Sequence, residues 1–526
     1  MAAQQRYPAA MFLPTYEELY IVSDLHLGGT SGTPIFHQGQ QFAKLIERLT
    51  ERETPRGGTL GLVINGDFID VLAEEVPGYV ASPADAERAV AQILLYKDFL
   101  DIWEKLNAFV HRDKHRLVVV LGNHDIELAY PNIQEQVLNR LAGNDEVSRG
   151  RIFFATFGAG YRCRVGHMNT GFASVLCIHG NEFDNWNAMS PESMARLVRA
   201  ATLGIPSPLA SEAPNAGTQL VKDVMNAIKA DWPFVDLLKP EVDSVFNVLL
   251  ALDPKRANAL GGVIKALSKA ETAGEWRVHR VLGAETGTAQ EHSALPKIQW
   301  KPGAQLAEFL GDDSGRRLSL EEIWDLAKKG GKTPEEIAGE EDQQILGGGR
   351  ILWNLLDYSV RRIFASPKKA LRAALADWGG SPETWEIDGA CDVYDKLAEI
   401  KPAADVVVAG HTHLRRQKHL PAVVPSQKGP LYLNTGTWAR LLRLDPKSFK
   451  SDEAFEPFWG ALNSMKSLDR LPPTWLLTQP TVAVIRPDKK QPAVMAGLCE
   501  YRTSEGKDED GFAPVENASW VPVVKA

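Results

Sequence analysis

Residues 117–125 read LVVVLGNHD. The first five of these residues are apolar and mostly β-branched, and a short run of this kind that ends at a glycine predicts a buried β-strand. The next four residues are a glycine followed by an amide, an imidazole and a carboxylate. These side chains can bind metal ions or carry protons, so we expect a functional loop at the end of this strand.

The same arrangement, an apolar run followed by a polar loop, occurs four more times along the chain. The loops are SDLHLG at 23–28, NGDFID at 65–70, HGNEFD at 179–184 and GHTH at 410–413. Amphipathic stretches that predict helices at 41–52 and 84–109 separate the first three strands, and this alternation indicates an α/β layered fold. Because loops at the carboxyl ends of such strands open onto one crevice, we expect all five loops to meet there.

The strands predicted from apolar runs are 19–23, 62–65, 117–121, 175–178, 406–409, 431–434 and 481–485. From about 191 to 401 the pattern changes to helical periodicity with almost no strand signal. We therefore divide the chain into two parts of one core, at 15–190 and 402–500, a helical insertion at 191–401 and a peripheral polar tail at 501–526. A cap over the cleft is the functional interpretation of the insertion, and an oligomerisation or purely structural appendage is the alternative.

The composition excludes several classes of protein. The chain has 526 residues, of which 44% are hydrophobic and 24% charged, as in ordinary globular proteins. A net charge of −9 disfavours a general nucleic-acid binder. The four cysteines form no CxxC pair, which is typical of reduced, cytosolic protein. The sequence has no long apolar run and no signal-peptide pattern, so we expect no membrane span and a cytoplasmic location.

The order of the motifs, D-x-H, GD, GNHD, HG and GH-x-H, resembles that of the calcineurin-like metallophosphoesterase superfamily. The resemblance covers about residues 19–184 and 404–437, together with the strand predicted at 481–485, and excludes the insertion. It implies a four-layered α/β/β/α sandwich that holds two divalent metal ions and hydrolyses phosphate esters by attack of a metal-bound hydroxide. Manganese is the metal we expect, and the same ligand types also accept iron, zinc or cobalt.

The resemblance also implies a role for each motif residue. The implied ligands are Asp24, His26 and His413 for the first metal, Asp67 as the bridging carboxylate, and Asn123, His179 and His411 for the second metal. His124 corresponds to the histidine that protonates the leaving group without binding metal. Asp125 corresponds to the acidic residue that orients this imidazole.

Within the superfamily, SDLHLGG, NGDFID and NTGTW look most like the UDP-2,3-diacylglucosamine diphosphatase branch. This chain departs from that branch in having HGN instead of HGD, and His124 where those enzymes tend to carry arginine. The absence of Arg-Gly after GDFID disfavours a serine/threonine phosphatase. The resemblance therefore implies cleavage of a phosphodiester or pyrophosphate bond in a small, nucleotide-like substrate.

Two alternatives stay open at this point. A nuclease acting on DNA or RNA would need a cationic track, for which the chain offers Arg415, Arg416, Lys418 and Arg440 near the last motif. The other alternative is an interaction or scaffolding module with incidental activity. The sequence carries no signal for an oligomeric state.

Three further side chains are candidate substrate contacts. His37 follows the first metal loop, and Arg415 follows GHTH. Trp438 can stack on a base or a sugar, although burial in a core is the commoner fate of a tryptophan.

Overall fold

The fold is described from a computed structural model. The described residues are 13–31, 34–156, 160–184, 186–205, 215–226, 385–422, 428–443, 445–464, 475–502 and 511–525, together with 234, 237, 368, 369, 371, 372 and 375. These residues form two large β-sheets, two small two-stranded sheets and a set of helices.

The strands, in chain order, are β1 (Thr15–Tyr16), β2 (Glu18–Val22), β3 (Leu27–Gly28), β4 (Leu60–Asn65), β5 (Ile69–Asp70), β6 (His115–Val120), β7 (Ile152–Ala155), β8 (Tyr161–His167), β9 (Gly171–Cys177), β10 (Val406–Ala409), β11 (Arg415–His419), β12 (Leu431–Thr435), β13 (Leu441–Leu442), β14 (Leu476–Leu477), β15 (Thr481–Pro487), β16 (Ala493–Tyr501), β17 (Phe512–Pro514) and β18 (Val521–Lys525). The helices are α1 (Gly39–Glu51), α2 (Pro83–Leu95), α3 (Leu100–His111), α4 (Pro131–Ala142), α5 (Glu146–Arg149), α6 (Pro191–Leu203), α7 (Ala216–Leu220), α8 (Asp392–Ile400) and α9 (Asp452–Ser464).

The larger sheet has the order β17-β16-β15-β2-β4-β6-β7, with β18 also paired to β16. The other large sheet has six strands, in the order β1-β8-β9-β10-β12-β11. Strands β2, β4, β6 and β7 are parallel in the first sheet, and β9, β10 and β12 are parallel in the second. All five motif loops therefore follow the carboxyl ends of parallel strands.

Alternation along each strand builds the layers. Tyr20 and Val22 of β2 belong to the core shared with helices α1 to α4, whereas Leu19 and Ile21 belong to the core between the two sheets. In β10, Val406 and Val408 face the first sheet, and Val407 packs with α8 on the other side. Successive side chains of a strand point to opposite faces, so each sheet is covered on both sides. The α/β/β/α arrangement implied by the family resemblance is confirmed.

The predicted strands are all present, with ends that shift by a few residues. One predicted helix is wrong in detail, because 84–109 forms two helices, α2 and α3, around a 3₁₀ turn at Lys97–Phe99. Phe99 is buried at this turn against Phe36 and Tyr96. Burial of the Phe99 ring at the turn stabilises the protein more than a continuous helix through these residues would.

The tail differs from the predicted peripheral segment. Its described part forms β17 and β18, both antiparallel to β16 at the edge of the larger sheet. Phe512 is buried against Tyr20, with ring centroids 5.2 Å apart, and against Tyr501. The apolar run VPVV at 521–524 is the local signal for a strand that the sequence interpretation missed.

Only part of the predicted insertion is described. Helices α6 and α7 lie at its beginning. Helix α8 lies at its end, packs on the six-stranded sheet and so belongs to the core. Most of the stretch with predicted helical periodicity, including residues 257–270, 320–329 and 352–364, lies outside the described residues. Within the described ranges, no helix combines the length and apolar character needed to cross a membrane.

Replacing Phe512 with alanine tests whether the tail is part of the core. We expect Phe512→Ala to destabilise the protein by about 3 kcal/mol, because it removes a buried ring that packs on two tyrosines. Denaturant unfolding would measure the loss, with exposed Ser519→Ala as the control. Equal stability of the two variants would contradict a core role for the tail.

Candidate metal centre

The backbone at the motif loops is unusual. Five candidate ligands have a left-handed backbone with positive φ: Asp24 (53°), His26 (50°), Asp67 (51°), His411 (69°) and His413 (59°). This conformation costs a residue other than glycine roughly 1–3 kcal/mol, and it persists where surrounding contacts enforce it. The surrounding fold therefore holds these residues in an unfavourable backbone conformation, which directs their side chains toward one point.

Asp24, His26 and His413 form the first group of donors. The Nε2 atoms of His26 and His413 lie 3.0 Å apart, and His413 Nε2 lies 3.3 Å from Asp24 Oδ1. All three residues are buried. His26 Nδ1 bonds to Asp70 Oδ2 at 3.1 Å, and when Nδ1 donates this hydrogen bond the Nε2 lone pair points into the group. Two imidazole nitrogens and a carboxylate converging in this way suit a divalent cation.

His179 and Asn123 form a second group of donors. His179 Nδ1 donates to Asn65 O at 2.9 Å, so Nε2 is the nitrogen that can bind a metal once it has lost its proton. The Asn123 amide nitrogen makes a long hydrogen bond of 3.5 Å to Asn187 Oδ1, which leaves the amide oxygen. Among the described residues, the buried Asn123 Oδ1 has no hydrogen-bond partner, and the buried His179 Nε2 faces another acceptor, Asp67 Oδ2, at 3.1 Å. Buried acceptors without donors fit a metal ion.

Asp67 lies between the two groups. Its Oδ2 is 3.7 Å from His26 Nε2 and 3.1 Å from His179 Nε2. Its Oδ1 accepts the backbone N–H of His124 at 2.9 Å. Gly122 approaches so closely that a Cβ at this position would overlap Asp67 Oδ1, which explains the glycine of GNHD. A carboxylate in this position can bridge two metal ions.

Hydrogen bonds to Asp184 and Asp24 fix the orientation of His411. Its Nε2 bonds to Asp184 Oδ2 at 2.8 Å, and its backbone N–H donates to both carboxylate oxygens of Asp24 at 3.0 Å. With Nε2 bonded to a carboxylate, Nδ1 is the nitrogen that can bind a metal. The ring centroid is 5.4 Å from that of His179, beside the second group.

The buried charges interact strongly. Burial by itself would raise the pKa of Asp67, but contacts with His179 and His124 outweigh it and hold the pKa well below its usual range. Burial acts likewise on Asp70, and its hydrogen bonds to His124 and His26 again hold the pKa well below normal. Burial would lower the pKa of His179, but the Asp67 carboxylate raises it to about 10. The site thus requires positive charge, supplied by protons or by metal ions.

His124 lies beside the donors, with 20% of its side chain exposed. The predicted partner of this imidazole is wrong. Asp70 Oδ1, not Asp125, bonds to His124 Nδ1, at 3.0 Å. Asp125 is fully buried and accepts the backbone N–H groups of Gly122 and Phe68, because its side chain turns back to brace the loop.

Asp70 and Asp184 are the residues of the candidate site to which the sequence interpretation gave no role. Both lie within motifs, three residues after Asp67 and five after His179, but their spacing alone does not show which imidazole each contacts. Asp70 bonds to His26 and His124, and Asp184 bonds to His411. Outer carboxylates of this kind fix the orientation of metal-binding histidines.

The three predicted substrate contacts have different outcomes. Trp438 is fully buried, its Nε1–H donates to Thr481 O, and its ring packs on Phe42, so it cannot stack on a substrate. His37 has an exposed side chain, and Arg415 is partly buried. Burial lowers the pKa of Arg415, whose charged neighbours include Glu500 and Glu516. Substrate contacts by His37 and Arg415 stay predictions.

Comparison with known proteins agrees with this geometry. Residues 18–234 match the family model for calcineurin-like phosphoesterases. No curated relative matches the chain at a significant level. The matched region ends before GHTH, but the structure brings His413 into the same buried cluster as Asp24, His26 and Asp67. Residues 18–234 thus match a calcineurin-like phosphoesterase domain, and this domain indicates a metal-dependent phosphoesterase.

Substitution of two neighbouring carboxylates separates their roles. We expect Asp70→Asn to weaken metal binding about 10- to 100-fold, because it disturbs the hydrogen bonds that orient His26 and His124. Asp125→Asn should instead lower stability by about 1–3 kcal/mol, since it leaves a buried backbone N–H without an acceptor. Metal content and melting temperature would be measured for both variants. A larger loss of metal affinity in Asp125→Asn would reverse the assignment.

Metal binding should depend on pH. Because the pKa of His179 is raised to about 10 without metal, this imidazole is protonated at neutral pH and must lose its proton to bind a metal. Affinity should therefore rise with pH, by about tenfold per unit for one released proton. Proton release on adding Mn²⁺ in weak buffer would measure this, and His179→Asn should release fewer protons. Identical release from both proteins would contradict the expectation.

Proposed function

We propose that the protein is a dinuclear-metal phosphohydrolase that cleaves a phosphodiester or pyrophosphate bond in a small, nucleotide-like substrate. One observation carries this proposal: Asp67 lies between two groups of buried donors, and the partly exposed His124 lies at their edge. The proposed ligands are Asp24, His26 and His413 on one side, Asn123, His179 and His411 on the other, and Asp67 between them.

Two bound metal ions would neutralise the phosphate and activate water as the nucleophile. Manganese is our proposal for the metal, with iron, zinc and cobalt as alternatives that suit the same mixture of imidazole and carboxylate ligands. The proposed ligands would hold these ions in a buried setting, where electrostatic interactions are stronger than in bulk water.

His124 is the proposed proton donor. Asp70 accepts from His124 Nδ1 and so favours the protonated imidazole, which would act through Nε2 on the oxygen of the leaving group. A histidine side chain can carry a proton near neutral pH, which suits this task. The intact pairing of His124 with Asp70 also argues against a scaffolding module with incidental activity.

The charges around the last motif favour a small substrate over a nucleic acid. Arg416 is buried, and its guanidinium donates to the backbone oxygens of Glu386 and Ala390. Lys418 donates to Gly389 O and lies 3.8 Å from the centroid of the Tyr394 ring. Two of the four cations that a nuclease track would use are therefore committed to structural contacts.

The beginning of the insertion supports its proposed role as a cap. Lys222 Nζ donates to the backbone oxygens of Glu74 and Val76, at 3.3 and 3.4 Å. Asn226 Nδ2 donates to Leu72 O at 3.0 Å. These contacts fasten the insertion to the segment that directly follows Asp70, next to the donor cluster.

Hydrolysis of bis-p-nitrophenyl phosphate by the Mn²⁺-loaded protein tests the proposal, with p-nitrophenyl phosphate as a monoester comparison. We expect His124→Ala to lower kcat by about 10²- to 10⁴-fold and to retain its metal, since the proton donor is lost but not a ligand. His111→Ala is the matched control, because His111 is an exposed histidine at the end of α3. Cyclic nucleotides, UDP-sugars and single-stranded DNA complete the panel.

Each outcome has a clear meaning. Turnover of UDP-sugars or cyclic nucleotides that disappears in His124→Ala would support a small-molecule hydrolase. Preferred cleavage of single-stranded DNA would replace the proposal with a nuclease. Loss of metal from His124→Ala would contradict the assignment of this residue as a proton donor. Two bound metals without any turnover would favour a binding module.

A further inference from the structure

Two residues at the entry to the insertion stand directly behind ligands of the second group. Asp184 and Asn187 belong to the segment that follows the HGN motif, and neither is among the proposed ligands. Asp184 contacts His411, and Asn187 contacts Asn123. The two residues also contact each other, since Asn187 Nδ2 donates to Asp184 Oδ2 at 2.6 Å. A continuous chain of hydrogen bonds thus joins two ligands of the same metal.

The Asp184 carboxylate is fully engaged. Oδ2 accepts from His411 Nε2 at 2.8 Å, and Oδ1 accepts the backbone N–H of Trp186 at 2.8 Å. These bonds hold the carboxylate in one orientation and select the His411 tautomer with the proton on Nε2. The Nδ1 lone pair of His411 is thereby available for a metal.

Asn187 determines which way the Asn123 amide points. Its Oδ1 accepts from Asn123 Nδ2 at 3.5 Å, so the Asn123 oxygen is the atom directed into the cluster. This oxygen is buried and has no hydrogen-bond partner among the described residues. Asn187 can serve as an acceptor here because its own Nδ2 is bonded to Asp184.

The insertion holds Asn187 in place. The backbone N–H of Gly217 donates to Trp186 O at 2.9 Å, and Asn215 Nδ2 donates to Asn187 O at 3.3 Å. Gly217 approaches so closely that a Cβ added there would overlap the Asn187 side-chain oxygen. Gly217, a residue of the insertion, therefore packs against Asn187, which in turn is hydrogen-bonded to the proposed ligand Asn123.

We propose that Asp184 and Asn187 are positioning residues for the second metal, and that segment 215–217 of the insertion sets its affinity through Asn187. This inference rests on the proposed dinuclear function. It makes the occupancy of one metal position, and not the other, depend on how the insertion packs.

Metal titration of the full-length protein tests this proposal. Mn²⁺ binding would be followed by metal analysis and by electron paramagnetic resonance, which distinguishes a coupled pair from a single ion. We expect Asp184→Ala and Gly217→Ala to bind the second Mn²⁺ about 10- to 100-fold more weakly and to bind the first one normally. Asp184→Asn retains an oxygen for His411 and should recover part of the affinity.

Two matched controls separate positioning from general destabilisation. Asp405 is a carboxylate at the other end of β10, where it accepts the backbone N–H of Ser174, so Asp405→Ala perturbs the same strand away from the site. Gly460 lies in α9, and an added Cβ meets nothing within 4 Å among the described residues, so Gly460→Ala tests a harmless glycine replacement. Both controls should bind two metals.

The outcomes distinguish this inference from the proposed function. A wild-type protein that binds a single Mn²⁺ would contradict the dinuclear function itself. Two metals in the wild type and unchanged binding in Gly217→Ala would overturn the role of the insertion alone. Equal weakening of both metals in Asp184→Ala would indicate a general structural role and overturn the positioning assignment. Circular dichroism would check folding, and Gly217→Ala carries the test if Asp184→Ala does not fold.

Discussion

The contact between Asp67 and the imidazoles around it is the constraint on which the site depends. A carboxylate that is almost completely buried is costly unless positive charge or hydrogen-bond donors compensate for it. His179 and the backbone N–H of His124 supply part of this compensation. Asp24 and Asp70 are buried in the same region, so the negative charge is concentrated in a small volume. A divalent cation is the natural counterpart of such a cluster.

Carboxylates and carbonyl oxygens outside the cluster give the imidazoles their direction. Asp70 takes one nitrogen of His26, Asp184 takes one nitrogen of His411, and Asn65 O takes one nitrogen of His179. In each ring the other nitrogen is left to bind a metal. The strained backbone of the ligand loops serves the same purpose, because packed sheets on both sides hold the loops in conformations that isolated chains disfavour.

The insertion contacts the surroundings of the candidate metal centre at two places. Residues 222 and 226 are bonded to the segment after Asp70, whose carboxylate orients His26 and His124. Residues 215 and 217 contact Asn187 and Trp186, next to the ligands of the second group. The insertion therefore lies next to the outer hydrogen-bond partners of both groups of donors.

The sequence by itself determined the layered fold, its main strands and the clustering of the motif loops, because apolar runs and the residues at their ends are local signals. It did not determine the break between α2 and α3, the strands of the tail or the burial of Trp438, since each depends on which distant surfaces are available for packing. The family resemblance assigned the imidazole partner to Asp125, whereas folding brings Asp70 to His124. Ligand types follow from local chemistry, but the pairing of carboxylates with imidazoles was decided by tertiary structure, because hydrogen bonds depend on distances in space between separate loops.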